Sequence, residues 1–304
     1  MKTHELTQVS GGLFSRAISD DTAPARARRP ALVLAYHNVI PDRAACPGDS
    51  ALHMPHSEFR RQLDHLQAAY EVVSLDALVG EREQSVRRPR VALTFDGAFR
   101  GAVTIAAEEL ATRRLPATIF VAPDVHGERP FWRDIFGADG DGSRAANGRD
   151  GEGVAAAHDG PTAEWAPSVD FGVYGLPGVA RPASFDELED ANRMEGIWFG
   201  SHSWRHRNLT RVYTRVLAED LAASLHWLRS RFHRVTPWLA YPYGIWNTNV
   251  RRLVEAVGYR GAVTIGASAL PNDGLDPFLV PRLSVPAAIT IDSFILRTAT
   301  LLSV

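Results

Sequence analysis

The sequence predicts an α/β protein built on one parallel sheet. From Pro30 onward, short apolar runs alternate with longer stretches of helical periodicity. Several runs end in a glycine or a polar residue, as strands do where α/β folds place their chemistry. The 304 residues are 45% hydrophobic, which is ample for one sizeable core. Seven or eight such strand–helix units suit a barrel.

The predicted strands are residues 31–36, 72–75, 91–95, 117–121, 197–200, 238–241, 261–265 and 279–283. The predicted helices are residues 57–69, 102–113, 185–194, 209–231 and 247–257. In the last helix, Val250, Leu253, Val254 and Val257 fall at helical spacing, and Gly258 is a stop signal. Because strands alternate with helices, we expect parallel strands with the functional groups at their carboxyl ends.

Two histidines lie in Gly200-Ser201-His202-Ser203-Trp204-Arg205-His206, directly after the apolar run 197–200. Two imidazoles four residues apart can point the same way from one turn of helix. Neutral imidazole is the commonest protein ligand for transition metals, so the pair predicts a divalent-metal site. In a chain with 11 histidines, an isolated match also fits chance pairing.

Two further motifs follow apolar runs. Asp96 ends the run 91–95, where a carboxylate is well placed as a base or a ligand; a helix cap is the alternative. The segment Tyr241-Pro242-Tyr243-Gly244 breaks another run with a tight turn. Such a turn exposes backbone N–H groups that can stabilise an oxyanion, and an ordinary turn is the alternative.

Taken in order, these motifs resemble the polysaccharide deacetylases, the NodB-homology domain of carbohydrate esterase family 4. The family patterns Thr-Phe-Asp-Asp, His-Ser/Thr-x-x-His and Pro-Tyr-Gly correspond to Thr94-Phe95-Asp96-Gly97, His202–His206 and Pro242-Tyr243-Gly244. Leu34-Ala35-Tyr36-His37-Asn38-Val39 is similar to the opening strand of a subgroup with Tyr-His there. The resemblance covers about residues 30 to 286 and implies a distorted (β/α)7 barrel.

The resemblance also implies a reaction, hydrolysis of an N-acetyl group from an amino sugar. His202 and His206 would hold a divalent metal (zinc, or cobalt or nickel), and Asp96 would be the base. The backbone N–H of Tyr243 would face the oxyanion. His37 is the candidate acid, because the family's late Leu-x-x-His motif has no match after Ser284. A buried strand histidine bonded to backbone is the alternative for His37.

Further site residues are less tightly defined. Arg282 in Val280-Pro281-Arg282 either orients Asp96 or packs at the barrel rim. Trp132, in Phe131-Trp132-Arg133-Asp134, is predicted to line a sugar-binding cleft together with Tyr241 and Pro242. Buried packing is an equally good alternative for Trp132.

Gly97 is the main departure from the family pattern, since it stands where the second aspartate is a metal ligand. Two histidines alone bind a divalent ion weakly, because catalytic zinc sites use about three protein ligands. Other residues or waters complete the site, or the enzyme works without tightly held metal, or the fold has lost its activity. A neutral residue at position 97 should also lower the pKa of Asp96 relative to a paired-carboxylate site.

The organisation predicted along the chain is a poorly ordered leader, residues 1–29, followed by one barrel, residues 30–304. A glycine- and acid-rich insertion, residues 137–183, interrupts the barrel and could act as a lid or a partner contact. The single cysteine, Cys46, cannot form an internal disulfide. With no signal-like segment evident, we expect a cytoplasmic location.

Composition excludes some partners. The 33 basic residues are balanced by 35 acidic ones, which does not fit a nucleic-acid footprint. No apolar run approaches the roughly 20 residues that span a bilayer. Two functions stay open: an amidohydrolase acting on an N-acetylated amino sugar or related small amide, and a catalytically silent barrel that binds glycan or a protein partner.

Overall fold

A computed structural model describes residues 31–44, 50–80, 88–125, 178–266, 268–271 and 273–301. The predictions on the leader, on Trp132 and on most of the insertion 137–183 therefore lie outside the described residues. Within the described ranges, no helix is long and apolar enough to cross a membrane.

The strands are β1 (Ala31–Tyr36), β2 (Asn38–Ile40), β3 (His53–Pro55), β4 (Glu71–Val72), β5 (Arg90–Asp96), β6 (Ala117–Val121), β7 (Ile197–Ser201), β8 (Val235–Ala240), β9 (Gly261–Val263) and β10 (Leu283–Ser284). The helices are α1 (His56–Ala69), α2 (Leu75–Gly80), α3 (Ala107–Thr112), α4 (Phe185–Arg193), α5 (Thr214–Arg231), α6 (Thr248–Val257) and α7 (Ile291–Leu301). A π-helical turn, Ala102–Ala106, leads into α3.

The main sheet has the order β10-β1-β5-β6-β7-β8-β9, and β4 pairs with the beginning of β5. Every pairing along it is parallel. A parallel bridge between Val263 and Val280 brings the segment before β10 beside β9, so the sheet curls towards closure. The predicted distorted (β/α) barrel is confirmed, with buried side chains filling its interior and its helix contacts.

Strand register places the motif residues at one edge of the barrel. Tyr36 pairs with Phe95, so the residues that follow, His37 and Asp96, lie level on neighbouring strands. Asp96 is in turn opposite Phe120, which is opposite Gly200 on β7. Because the strands are parallel, all their carboxyl ends meet at this edge.

Some element boundaries differ from the predicted ones. The predicted strand 72–75 contains only the end of β4, because Leu75 already begins α2. Strand β8 starts at Val235, earlier than predicted, and includes Pro237. Proline weakens the sequence signal for a strand, and here it lies in a register shift between β7 and β8, where a missing N–H donor is tolerated.

Two helices are absent from the sequence prediction. Helix α2 has only 6 residues, too few for a helical periodicity of apolar residues to be recognised in the sequence. Helix α7 contains the run Ile291-Asp292-Ser293-Phe294, with threonines further along, residue types of modest helix propensity. It forms because Phe294 is buried against the barrel, with its ring 6.2 Å from that of His65 on α1.

Candidate active site

Asp96 at the end of β5 is bound by Arg282, which directly precedes β10, two strands away in the sheet. The guanidinium donates from Nη1 to Oδ1 and from Nη2 to Oδ2, both at 2.7 Å. Arg282 is fully buried and Asp96 is 6% exposed. Of the two alternatives that the sequence left for Arg282, the geometry matches the one in which it orients Asp96.

Two further N–H groups of Arg282 also have partners. Its Nε donates to Thr264 O at 3.1 Å, and Nη1 donates to Thr94 Oγ1 at 3.1 Å. The Thr94 hydroxyl donates to Leu34 O at 2.7 Å, and the guanidinium lies 5.6 Å from the centroid of the Phe120 ring. This network ties the ends of β1, β5 and β9 together, so the fork that holds Asp96 cannot rotate away.

The pKa of Asp96 is well below its ordinary value. Burial alone would raise this pKa, but the charge of Arg282, followed by those of His202 and His37 and by the Arg282 hydrogen bonds, outweighs burial. Burial lowers the pKa of His202, which favours its uncharged form at neutral pH. The permanent charge of Arg282 therefore keeps the Asp96 pKa low at that pH. Asp96 is therefore an ionised, fixed carboxylate.

His202 is almost fully buried, and its tautomer is determined by one contact. Its Nδ1 lies 2.9 Å from Ala240 O at the end of β8. A carbonyl only accepts, so Nδ1 carries the hydrogen and Nε2 of the neutral ring carries the lone pair. Burial lowers the pKa of His202, which favours this neutral form. An imidazole whose other nitrogen donates to a backbone carbonyl is the usual arrangement of a metal-binding histidine.

His206 lies beside His202, with the ring centroids 4.5 Å apart. The two residues are not on a turn of helix, as the spacing had suggested. Residues 202–208 are irregular, and both Ser203 and His206 adopt left-handed backbone conformations, with φ of 62° and 53°. The two rings nevertheless come together edge to face, at 67° to one another, because the loop folds back on itself between the two residues.

The turn after β8 contains Tyr243 in a left-handed conformation, with φ of 61° and ψ of 6°. Its ring centroid is 4.9 Å from that of His206, and its hydroxyl donates to His206 O at 3.4 Å. Gly244, also at positive φ, approaches Ile265 so closely that an added Cβ would lie 2.8 Å from the Ile265 Cβ. The turn thus brings the Tyr243 peptide to the same edge as the histidines.

Tyr241 and Pro242 do not fit the predicted sugar contact. Tyr241 is fully buried among apolar side chains, and its hydroxyl donates to Phe278 O at 3.1 Å. Pro242 is buried as well. Tyr241 packs with Val250 and Val254 of α6, so its side chain supports the turn from the core side.

His37 is half-buried directly after β1 and level with Asp96. Its charge is among the influences that lower the pKa of Asp96. The following residue, Asn38, is buried and fixed by hydrogen bonds of 3.0 Å to His53 Nδ1 and Val179 O. The backbone that carries His37 is therefore held rigidly beside the Asp96 carboxylate.

The residues present fit only part of a metal centre. His202 and His206 offer imidazole nitrogens, but among the described residues no group of three or more His, Cys, Asp or Glu side chains could hold an ion. Gly97 contributes no side chain, and its N–H donates to Phe120 O at 3.1 Å. Its φ of 90° is a conformation that L side chains rarely adopt. The described part of the chain therefore lacks a third protein ligand.

The sequence model of one protein family matches residues 83–262, more than half of the chain, and its description is polysaccharide deacetylase. The chain belongs to the polysaccharide deacetylase family. No curated protein matches the chain by sequence. Polysaccharide deacetylases of carbohydrate esterase family 4 generally depend on a metal.

Solved structures of polysaccharide deacetylase relatives share the fold. IcaB from Ammonifex degensii has a TM-score of 0.61 and 20% identity, covering 91% of this chain and 98% of that one. The Streptococcus pyogenes deacetylase PplD, solved in complex with acetate, has a TM-score of 0.60 and 14% identity, covering 89% and 98%. A de-N-acetylase from Aggregatibacter actinomycetemcomitans has a TM-score of 0.60 and 16% identity, covering 88% and 99%.

Some residues that shape this deacetylase site escaped the sequence analysis. Thr94 lies inside the motif that identified Asp96, but nothing in the sequence links it to Arg282. The carbonyl groups of Ala240 and Thr264 are backbone atoms, which carry no sequence signal. Their positions follow from strand ends meeting at one edge, which only the folded barrel shows.

Proposed function

We propose that this chain hydrolyses the N-acetyl group of an amino sugar, releasing acetate and the free amine. Membership of the deacetylase family supports the reaction class. The observation that carries the proposal is Asp96, a buried carboxylate fixed by a bidentate arginine at the edge where His202 presents Nε2. The structural relative PplD was solved in complex with acetate, the acid that this reaction would release.

In this proposal Asp96 takes a proton from the attacking water. The Arg282 fork fixes both carboxylate oxygens, and the remaining lone pairs of the carboxylate can still accept a hydrogen bond. The lowered pKa makes Asp96 a weak proton acceptor. Orientation, more than basicity, is then what Asp96 supplies.

His37 is the proposed acid that protonates the departing amine nitrogen. It lies level with Asp96 on the neighbouring strand, so both side chains can reach one small acetamido group. The proposed oxyanion donor is the Tyr243 backbone N–H, in the turn that contacts His206. These roles place proton removal, charge stabilisation and proton donation around one carbonyl carbon.

His202 and His206 are the proposed ligands of a weakly bound divalent ion such as zinc, cobalt or nickel. A bound ion would supply Lewis-acid polarisation of the amide carbonyl. With Gly97 in place of a carboxylate, we expect loose retention of the ion. The same observation favours the second candidate, a catalytically silent barrel that binds glycan or a protein partner.

The deciding experiment measures acetate release by the purified protein from N-acetylglucosamine oligomers and from nucleotide-linked N-acetyl sugars. It is run with added zinc or cobalt and again after chelation. Release of acetate that Asp96→Asn abolishes is the expected result. Inactivity of the natural protein on every substrate, together with glycan binding, would establish the silent barrel.

A further inference from the structure

Helix α5 packs on the sheet through a face of leucines that two polar residues interrupt. The leucines are Leu217, Leu221, Leu225 and Leu228. Ser224 is fully buried within this face, and Asp220 precedes it by one helical turn. Polar side chains on a packed face are unfavourable unless their atoms find partners, so their contacts should explain their presence.

Ser224 closes a ring of hydrogen bonds with the start of the histidine loop. Its hydroxyl donates to Ser203 O at 3.3 Å and lies 2.8 Å from Ser201 Oγ. Since the single hydroxyl hydrogen of Ser224 goes to Ser203 O, the Ser201 hydroxyl donates to Ser224. The Ser203 N–H then donates to Ser201 Oγ at 3.2 Å. Each of the three serines in this buried ring both donates and accepts a hydrogen bond, and hydrogen bonds connected in this way strengthen one another.

Asp220 holds the next peptide of the loop. Its Oδ1 accepts the N–H of Trp204 at 2.8 Å. On the other side of the same residue, Trp204 O accepts the N–H of Asp124 at 3.0 Å. Trp204 is therefore fixed through both backbone groups, and one of the two attachments comes from α5.

The fixed segment lies between the two histidines and contains strained backbone. Ser203 and His206 have φ of 62° and 53°, a region that residues other than glycine avoid unless the surroundings impose it. The Ser203 hydroxyl also accepts the N–H of His206 at 3.0 Å. Whatever holds Ser203 in place therefore also sets the position of His206 relative to His202.

We propose that Ser224 and Asp220 are positioning residues that keep the His206 imidazole facing His202. They act through the hydrogen bonds to Ser203 and Trp204. The inference rests on the proposed function only in assigning the histidine pair to the reactive site. Without the two attachments, the loop relaxes out of its left-handed conformations and the ring separation of 4.5 Å is lost.

The test compares Ser224→Ala and Asp220→Ala with matched controls on the same helix. Ser230→Ala removes an exposed hydroxyl that donates to Trp227 O at 2.9 Å, and Glu219→Ala removes an exposed carboxylate that pairs with Arg215 at 3.2 Å. Asp220→Asn is the conservative variant, because its amide oxygen can still accept the Trp204 N–H. The readouts are imidazole NMR signals of metal-free protein, zinc affinity by calorimetry, and kcat and KM for acetate release.

We expect Ser224→Ala and Asp220→Ala to shift the His206 imidazole signals and weaken the cross-ring contact with His202. Zinc affinity and kcat should each fall by about tenfold to 100-fold, the usual range for residues that orient metal ligands, with KM nearly constant. Asp220→Asn should retain values close to those of the natural protein, and both controls should be indistinguishable from it.

Folded Ser224→Ala and Asp220→Ala proteins with unchanged His206 signals would overturn the proposal. If Ser224→Ala does not fold, the pair Asp220→Ala and Asp220→Asn decides, and identical His206 signals in the two would also overturn it. If the natural protein neither binds zinc nor releases acetate, the proposed function fails. The NMR comparison on metal-free protein still decides the positioning role in that case.

Discussion

Arg282 and Asp96, separated by 186 residues in sequence, form a buried ion pair through two parallel hydrogen bonds of 2.7 Å. The pair joins the segment before β10 to the end of β5, with β1 lying between these two strands in the sheet. A carboxylate held by a planar fork has one orientation, which suits a base that must meet a particular water molecule. The chain also contains a second arginine fork, Arg251 on Asp276, which lies on the barrel exterior at 2.9 and 3.0 Å and provides a control.

Arg282→Lys should lower kcat by at least tenfold while the protein still folds. An ammonium group keeps the charge but cannot donate to both carboxylate oxygens in the plane of a fork, so Asp96 gains rotational freedom. Steady-state kinetics of acetate release measure the loss. Arg251→Lys is the matched control and should leave kcat unchanged. Equal kcat values in the two variants would contradict an orienting role for Arg282.

Asp96→Asn should abolish acetate release and also destabilise the protein. In the structure, the amide nitrogen would face an Arg282 donor, and the buried guanidinium charge would lose its partner. Breaking a buried pair in this way costs about 3–5 kcal/mol. Urea unfolding measures the cost, and Asp276→Asn, at the partly exposed fork, should cost much less.

Sequence reasoning located the chemistry at strand ends because parallel strands are forced to present their carboxyl ends together. It could not assign Arg282, since that contact depends on how the barrel closes between β9 and β10. It also placed Tyr241 in the sugar cleft, whereas the side chain points into packing against α6. The amino-acid sequence indicates which residues end a strand. It does not indicate the direction of the side chains that follow, where the regular alternation of the strand has stopped.

The histidine loop illustrates a second limit. His-x-x-x-His spacing fits a helical turn, whereas residues 202–208 are irregular and the two rings meet edge to face. Left-handed φ values at Ser203 and His206 carry no clear sequence signal, since neither residue is glycine. They depend on Ser224 and Asp220, whose hydrogen bonds join segments that are distant in sequence.

Gly97→Asp should strengthen zinc binding. Gly97→Ala is the control for the backbone strain that any side chain at this position introduces. At a φ of 90° any side chain is strained, so both variants should lose stability to a similar degree. Only the aspartate adds a third candidate ligand beside the histidines, which should increase zinc affinity by tenfold or more. Calorimetric titration of the natural protein and both variants measures this. Equal zinc affinities for Asp and Ala at position 97 would show that the carboxylate does not reach the ion.

The metal-free protein should lose stability in two stages as pH falls. Burial outweighs the nearby Asp96 and the Ala240 carbonyl and lowers the pKa of His202 below its ordinary 6.5. The unfolded chain therefore takes up this proton first, so stability begins to decline below about pH 6.5. The Asp96 pKa is lowered from 3.8, so its contribution is present above that pH and disappears as pH falls through the folded value.

Urea unfolding between pH 7 and pH 2 tests this sequence of events, with the second decline beginning below about pH 3.8. His202→Gln should reduce the first decline, to which His65 also contributes because burial lowers its pKa, and should keep the second. His226→Gln, at an exposed position on α5, should leave both declines in place. A natural protein whose stability stays constant from pH 7 to pH 4.5 would contradict the pKa assigned to His202.

His37→Ala should slow acetate release from N-acetyl amino sugars by about 100-fold, the usual scale for losing a general acid. The amine of a sugar is a poor leaving group and departs only when protonated. A phenolate departs without a proton, so hydrolysis of 4-nitrophenyl acetate should decrease far less in the same variant. The ratio of the two losses therefore separates proton donation from a general disturbance of the site. His226→Ala should affect neither substrate, and equal losses on both substrates for His37→Ala would show that His37 shapes the site without donating the proton.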